Sequence, residues 1–168
     1  MVVERYMTPN PITVRPGTSL RKAQELLYTH HIRHLPVVQG RRLVGIITDR
    51  DLRQLLPSSL APPDEVARFR AATAQVKVGE VMTRQVLSVT PDTRTRKAAR
   101  LMVERRLGCL PVLQGSTLVG IITTNDLLRA MAGGDRPRAA SSGAPRVGGR
   151  KPLEDRRTPR AETRQGRR

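Results

Sequence analysis

Aromatic side chains are almost absent from this chain, which has no tryptophan and only Phe69, Tyr6 and Tyr28. The hydrophobic core must therefore be built from valine, isoleucine, leucine, alanine and methionine. Proteins that bind single-stranded nucleic acid stack successive bases on aromatic rings. Three aromatic residues in 168 provide no such platform, so we do not expect base stacking to be the function.

Cysteine and long apolar runs are equally scarce. Cys109 is the only cysteine, which excludes an internal disulfide and a zinc site built on paired cysteines. A lone thiol is typical of a reducing compartment. No stretch approaches the ~18 consecutive apolar residues of a membrane span, and the N-terminus has no secretory signal pattern. We expect a soluble cytoplasmic protein with no membrane partner.

Acidic residues are outnumbered by lysine and arginine, 14 against 31, giving a formal net charge of +17. Residues 133–168 carry eleven of the basic and four of the acidic side chains, without hydrophobic periodicity. This composition buries too little apolar surface to offset ordering entropy, so we predict a disordered Arg/Pro/Gly-rich tail. Two roles for the tail stay open: a solubilising extension, or a non-specific, salt-sensitive contact with nucleic acid or another polyanion.

The ordered part of the sequence is duplicated. Leu-Val-Gly-Ile-Ile-Thr at residues 43–48 recurs letter for letter at 118–123, an offset of 75 residues. At this offset residues 7–52 align without a gap on 82–127, and they match at Met-Thr, Arg-Lys-Ala and Leu-Pro-Val. A fixed period indicates one supersecondary unit that buries its apolar face against a copy of itself. We therefore predict two repeats related by a pseudo-twofold axis.

Each repeat is predicted to run strand, helix, strand, strand, helix, which makes the fold class α/β (α+β). Hydrophobic spacing and turn residues place the elements of the first copy at residues 12–14, 35–38, 43–48 and 49–56, with its first helix running from residue 20 to an end at His30-His31, and those of the second copy at 86–89, 94–106, 110–113, 118–123 and 125–132. The predicted organisation is repeat 1 at 1–56, a linker with a helix at 57–75, repeat 2 at 76–132, and the tail at 133–168.

One motif with chemical meaning occurs in both copies. Gly-Ile-Ile-Thr-x-x-Asp ends in Asp51 and again in Asp126. A carboxylate accepts hydrogen bonds only and is able to bind both hydroxyls of a ribose. The adjacent helix N-terminus attracts phosphate through its free amides and dipole. The simpler alternative is that threonine and aspartate only cap the helix, which is their usual role.

The duplicated Met-Thr, Leu-Pro-Val and Gly-x-x-Thr-x-x-Asp together resemble the tandem cystathionine β-synthase (CBS) domain pair, or Bateman module. The resemblance covers residues 1–132. It implies a regulatory α/β module whose two repeats pack through their sheets and leave two clefts. The implied ligands are AMP, ADP, ATP or S-adenosylmethionine, with no cofactor required.

The resemblance also assigns residues to the two clefts. Aspartate would bind ribose, the basic residues before Leu-Pro would meet phosphate, and apolar residues of the opposite repeat would face the base. Cleft one would then consist of Thr48, Arg50, Asp51, Arg33, His34, Val86 and Leu87. Cleft two would consist of Thr123, Asn125, Asp126, Pro11 and Ile12.

The two copies differ where phosphate would bind. Arg33-His34 of the first copy becomes Gly108-Cys109 in the second, and Arg50 becomes Asn125. Charge-assisted hydrogen bonds contribute about 1.5 to 3 kcal/mol each. We therefore predict that cleft one is the anionic nucleotide site and that cleft two is weaker, empty, or suited to a less charged adenosyl ligand.

Metal binding and catalysis find little support in the sequence. His30 and His34 have the i, i+4 spacing of a helical metal pair, but the following Leu-Pro is expected to end the helix before His34. No nucleophile elbow or Walker loop is present. We expect no metal and no enzymatic activity.

The sequence thus predicts a stand-alone adenosine-ligand sensor, a homodimer by resemblance, that signals to an unknown effector protein. The alternative is an interaction protein with vestigial clefts whose basic surface and tail contact nucleic acid or an acidic partner.

Overall fold

The computed structural model describes residues 1–55 and 62–133, so the predicted tail beyond Gly133 and residues 56–61 lie outside the described residues. A 3-10 helix at Val3–Arg5 precedes the first repeat, whose elements are β1 (Thr8–Pro9), α1 (Leu20–Thr29), β2 (His34–Gln39), β3 (Arg42–Thr48) and α2 (Asp49–Leu55). Then follow α3 (Pro63–Gln75), α4 (Val78–Val81), α5 (Thr95–Arg105), β4 (Cys109–Gln114), β5 (Thr117–Thr123) and α6 (Thr124–Met131).

Local sequence signals explain several of these boundaries. Ser19 caps α1, its hydroxyl oxygen accepting the Lys22 amide at 3.3 Å. Pro63 begins α3, which carries two acidic residues in its first turn and falls within the predicted linker. The hairpin turns at Gly40 and Gly115 have φ of 63° and 60°, a left-handed conformation that glycine adopts without a steric penalty. No helix within the described ranges combines the length and apolarity needed to cross a membrane.

The two central hairpins have the same register. His34 lies opposite Thr48 in the β2–β3 pair, and Cys109 lies opposite Thr123 in the β4–β5 pair. The hairpins join where Arg42 pairs with Thr117. Ile46 of β3 and Ile121 of β5 also form a small buried cluster with Cys109 of β4. The repeats therefore pack through their sheets, as predicted.

The first residues of each repeat pair with the sheet of the other copy. Thr8 of β1 pairs with Ile121 of β5. In the same way Thr83 exchanges two hydrogen bonds of 2.9 Å with Ile46 of β3. The duplicated Met-Thr of the sequence is therefore the edge of the opposite repeat's sheet.

The two main hydrophobic cores follow this exchange. Val3 and Tyr6 are buried with Leu110 and Ile122 in the core of the second repeat. Val78, 75 residues after Val3, is buried with core residues of the first repeat. Each core is thus completed by residues from the start of the other copy, which couples the folding of the two repeats.

The predicted strands at 12–14 and 86–89 are wrong. Only the last residue of each contacts the sheet, through single parallel bridges of Val14 with Val37 and of Val89 with Val112. The preceding residues include Ile12 and Val86, which line the clefts.

Candidate functional site

Two clefts lie between the repeats, at the carboxyl ends of β3 and β5. Cleft one has a volume of about 340 Å³ and cleft two about 640 Å³. Both repeats supply residues to each cleft, because the exchanged segments after Thr8 and Thr83 form one wall. A ligand in either cleft would contact both copies.

The Thr-x-x-Asp motif of cleft one forms a reciprocal helix cap. Oδ2 of Asp51 accepts the Thr48 amide at 2.8 Å and the Thr48 hydroxyl at 2.7 Å. The Asp51 amide in turn donates to Oγ1 of Thr48 at 3.2 Å. No hydrogen bond from the described residues reaches Oδ1 of Asp51. Capping therefore occupies one carboxylate oxygen and fixes the side chain, and the other oxygen stays available as an acceptor.

The motif of cleft two has the same geometry. Oδ2 of Asp126 accepts the Thr123 amide at 2.8 Å and the Thr123 hydroxyl at 2.7 Å. Asp126 is the buried charged residue of the described core. The two motifs therefore present equally preorganised carboxylates, and any difference between the clefts must come from their surroundings.

All seven residues predicted for cleft one line the same cavity. Thr48 at the end of β3 and Asp51 in the first turn of α2 come from the first repeat, and Val86 and Leu87 come from the second repeat. The remaining three are Arg33, His34 and Arg50.

All five residues predicted for cleft two also share one cavity, namely Thr123, Asn125, Asp126, Pro11 and Ile12. This cavity holds two further residues that the sequence offset had placed in cleft one alone, Arg33 and His34. Both residues border both clefts.

Three basic residues of the clefts were not predicted. Arg106 lines cleft one, directly after α5, and its repeat counterpart His31 lines cleft two. Both have a left-handed φ, 53° and 51°. Arg129 lines cleft two from α6. It was detectable in principle, because a residue three positions after Asp126 lies on the same helix face.

Charge differs between the clefts less than the sequence indicated. Four arginines and two aspartates line cleft one, whereas two arginines and one aspartate line cleft two. Within cleft one, the Arg53 guanidinium pairs with Asp49. Both clefts are therefore net positive, with the larger excess in cleft one.

His34 lies on the wall between the clefts. Burial lowers its pKa below the usual value of 6.5, and Arg33 lowers it further, while Asp51 and Asp49 act in the opposite direction. The imidazole is therefore neutral at pH 7. It is able to donate a hydrogen bond to a ligand but adds no positive charge.

Cys109 lies in the wall of cleft one and is buried. Burial raises the pKa of its thiol to about 12. Because the thiolate is the reactive form, we expect alkylation by iodoacetamide at pH 8 to be at least about 100-fold slower in the folded protein than in the urea-unfolded chain, whose thiol has a pKa of about 8.5. Mass spectrometry of timed aliquots measures both rates, and equal rates would contradict the burial of Cys109.

The histidine pair does not form the helical metal site that its spacing allows. α1 ends at Thr29, and His34 already belongs to β2, as the Leu-Pro signal indicated. Within residues 1–55 and 62–133 no three histidine, cysteine, aspartate or glutamate side chains lie together as metal ligands.

The fold and its clefts define a two-repeat module in which duplicated Thr-x-x-Asp motifs line two inter-repeat clefts. The CBS domain model matches residues 3–58 and 78–133. The chain belongs to the CBS-domain family.

Similar proteins agree with this assignment. A CBS domain-containing protein of Dictyostelium discoideum is 33% identical over 130 residues, covering 76% of this chain and 89% of its own length. The crystal structure of CBSX2 in complex with AMP, a protein of Arabidopsis thaliana, has a TM-score of 0.65 at 34% identity and covers 79% of this chain and 96% of CBSX2.

Longer relatives contain the module as a part. MJ1225 of Methanocaldococcus jannaschii is 35% identical over 133 residues, 78% of this chain. The chain spans about half the length of MJ1225, 47%, and 23% of two longer enzymes. The matches to those enzymes are confined to that fraction of their length.

Proposed function

We propose that this chain is a regulatory module that binds an adenosine nucleotide between its repeats and signals to an effector protein. The observation that carries the proposal is the duplicated carboxylate, Asp51 and Asp126. Each is fixed through Oδ2 by its own threonine and lines a cleft formed by both repeats. A fixed acceptor of this kind suits the paired hydroxyls of a ribose. The complex of the similar CBSX2 with AMP supports the same ligand class.

The charge of the clefts favours a phosphorylated ligand. Arg33, Arg50 and Arg106 line cleft one without an ion pair to any described residue. Guanidinium groups bind phosphate oxygens in a bidentate manner. We therefore propose AMP, ADP or ATP for cleft one. Cleft two should bind the same nucleotides more weakly, and it also suits S-adenosylmethionine, which brings no phosphate.

The proposed signal is a change in the relative orientation of the repeats. A ligand that contacts both copies favours the orientation in which those contacts form, by no more than its difference in affinity for the two states. Because catalysis has no part in this mechanism, we propose a non-enzymatic protein. The proposed working form is a cytoplasmic homodimer that transmits the shift to its effector.

A second candidate is an interaction protein that contacts a polyanion. Within the described ranges ion pairs form at Lys22, Arg53 and Arg68, so most basic side chains there have no acidic partner among the described residues. Nucleic-acid binding that weakens steeply between 50 and 200 mM salt, in a protein that binds no adenylate, would favour this candidate.

Replacing Asp51 by alanine should weaken AMP binding to cleft one at least about tenfold, the equivalent of one hydrogen bond to a charged group. Asp126→Ala should do the same in cleft two. Calorimetric titration with AMP, ADP, ATP and S-adenosylmethionine measures these effects, and mass spectrometry of small molecules released on denaturation identifies any ligand already bound.

The matched control is Asp64→Ala, which removes an exposed carboxylate on α3, away from both clefts. Asp51→Ala and Asp126→Ala each also remove a helix cap, which typically costs about 1 kcal/mol of stability. Circular dichroism must therefore show that both variants are folded. Unchanged AMP binding in folded Asp51→Ala and Asp126→Ala would overturn the proposed function.

A further inference from the structure

Three residues form the partition between the two clefts. Arg33, His34 and Gly108 line both cavities. They lie where β2 and β4 begin, and the starts of these strands meet across the pseudo-twofold axis. A Cβ on Gly108 would lie only 3.1 Å from Nε2 of His34.

The partition is asymmetric in charge, although its backbone is symmetric. The carbonyl of Arg33 accepts the Asp49 amide at 2.9 Å, and the carbonyl of Gly108, the repeat counterpart of Arg33, accepts the Thr124 amide at 3.1 Å. Both strand starts are thus fixed to the following helix in the same way. The second copy has glycine where the first has arginine. The partition therefore carries one guanidinium, whereas two identical copies would place two there.

The clefts depend on this guanidinium unequally. Apart from Arg33, the arginines that line cleft one are Arg50, Arg53 and Arg106. The second arginine of cleft two is Arg129. Burial and the neighbouring Arg33 lower the pKa of His34 on the same wall, which disfavours a positive charge on this imidazole. Arg33 is therefore the cation that both clefts share, and it supplies half of the arginines of cleft two.

We propose that Arg33 is a shared phosphate-binding residue that couples the two clefts negatively, so that a nucleotide in cleft one weakens nucleotide binding in cleft two. This inference rests on the proposed function. A phosphate monoester carries about −1.5 to −2 charges at pH 7, and one guanidinium neutralises only part of one such group. A phosphate that enters the other cleft then meets a guanidinium that is already bound to the first phosphate. By linkage, occupancy of cleft two weakens cleft one by the same factor.

The test is calorimetric titration of the full chain with AMP at constant ionic strength. In the wild type we expect two binding steps whose affinities differ by at least about tenfold, the equivalent of one charge-assisted hydrogen bond of about 1.5 kcal/mol. Because the clefts also differ in their own arginines, the coupling itself is measured in Asp51→Ala, which weakens cleft one: AMP should then bind cleft two more tightly than in the weaker wild-type step, and an unchanged affinity of cleft two overturns the coupling. Gly108→Arg restores the second guanidinium, so the weaker step should tighten toward the stronger one. Gly108→Ala adds the same Cβ beside His34 without the charge and should leave the gap between the steps unchanged.

Arg33→Gln provides an independent test that does not change the crowded glycine. This substitution should weaken both binding steps, because Arg33 lines both clefts. Substitution of an arginine that lines cleft one alone would weaken one step. Two equal and independent sites in the wild type overturn the coupling but leave the proposed function standing. The coupling is likewise overturned if a folded Gly108→Arg leaves the weaker step unchanged or if Arg33→Gln weakens one step only. Absence of AMP, ADP and ATP binding in the wild type overturns the coupling and the proposed function together.

Discussion

Replacing Tyr6 by alanine should lower the free energy of unfolding by about 3 to 5 kcal/mol, the usual cost of truncating a large aromatic side chain in a core. Tyr6 is only 7% exposed and packs in the core of the second repeat, although it lies at the start of the chain. Urea denaturation followed by circular dichroism measures the loss. Amide hydrogen exchange should also accelerate more in β4 and β5 than in β2 and β3.

The control for this prediction is Tyr28→Ala. Tyr28 is 79% exposed on α1, and a surface substitution of this kind usually changes stability by no more than about 0.5 kcal/mol. Equal losses for the two tyrosines would show that the N-terminal segment does not complete the second core.

Replacing Gly45 by valine should cost about 3 kcal/mol or more, the upper range for overpacking a core. A Cβ at Gly45 would lie 2.5 Å from Sδ of Met82 and 3.0 Å from the carbonyl oxygen of Thr83. The Met82 side chain is able to move, but Thr83 is hydrogen-bonded to Ile46 next to the glycine. In the variant, the segment at Thr83 must therefore move away from the edge of β3. Thermal and urea denaturation both report the loss.

Gly17→Val is the matched control. No atom lies within 4 Å of a Cβ at Gly17, so the same substitution should change the free energy of unfolding little. Gly120→Val, the repeat counterpart of Gly45, should be as damaging, since its Cβ would lie 3.2 Å from the carbonyl oxygen of Thr8. Wild-type stability in Gly45→Val would contradict the close crossing of Thr83.

The two helices of each repeat's predicted plan (α1, α2, α5 and α6) and the hairpin strands were predictable to within one or two residues, whereas β1 and the short α4 were not predicted. Their signals are local: Ser19 caps α1, Gly40 and Gly115 turn the hairpins, and continuous apolar runs mark β3 and β5. The Thr-x-x-Asp cap was predictable for the same reason, since it joins residues three positions apart. Residues 12–14 and 86–89 show the limit, because their apolar character is used to line a cleft rather than to extend a sheet.

The duplication, the order of elements in each copy, and the threonines that end the central strands with an aspartate three residues later could all be identified from the sequence. An offset of 75 residues identifies equivalent positions, but it contains no information on which copy a segment packs against. The three-dimensional structure was needed to show that Val3 packs in the core of the second repeat, that Val78 packs in the core of the first, and that Arg33 borders both clefts. The physical reason is the pseudo-twofold axis: it brings the same loop of both copies to one wall, so a residue that diverged in one copy affects both sites.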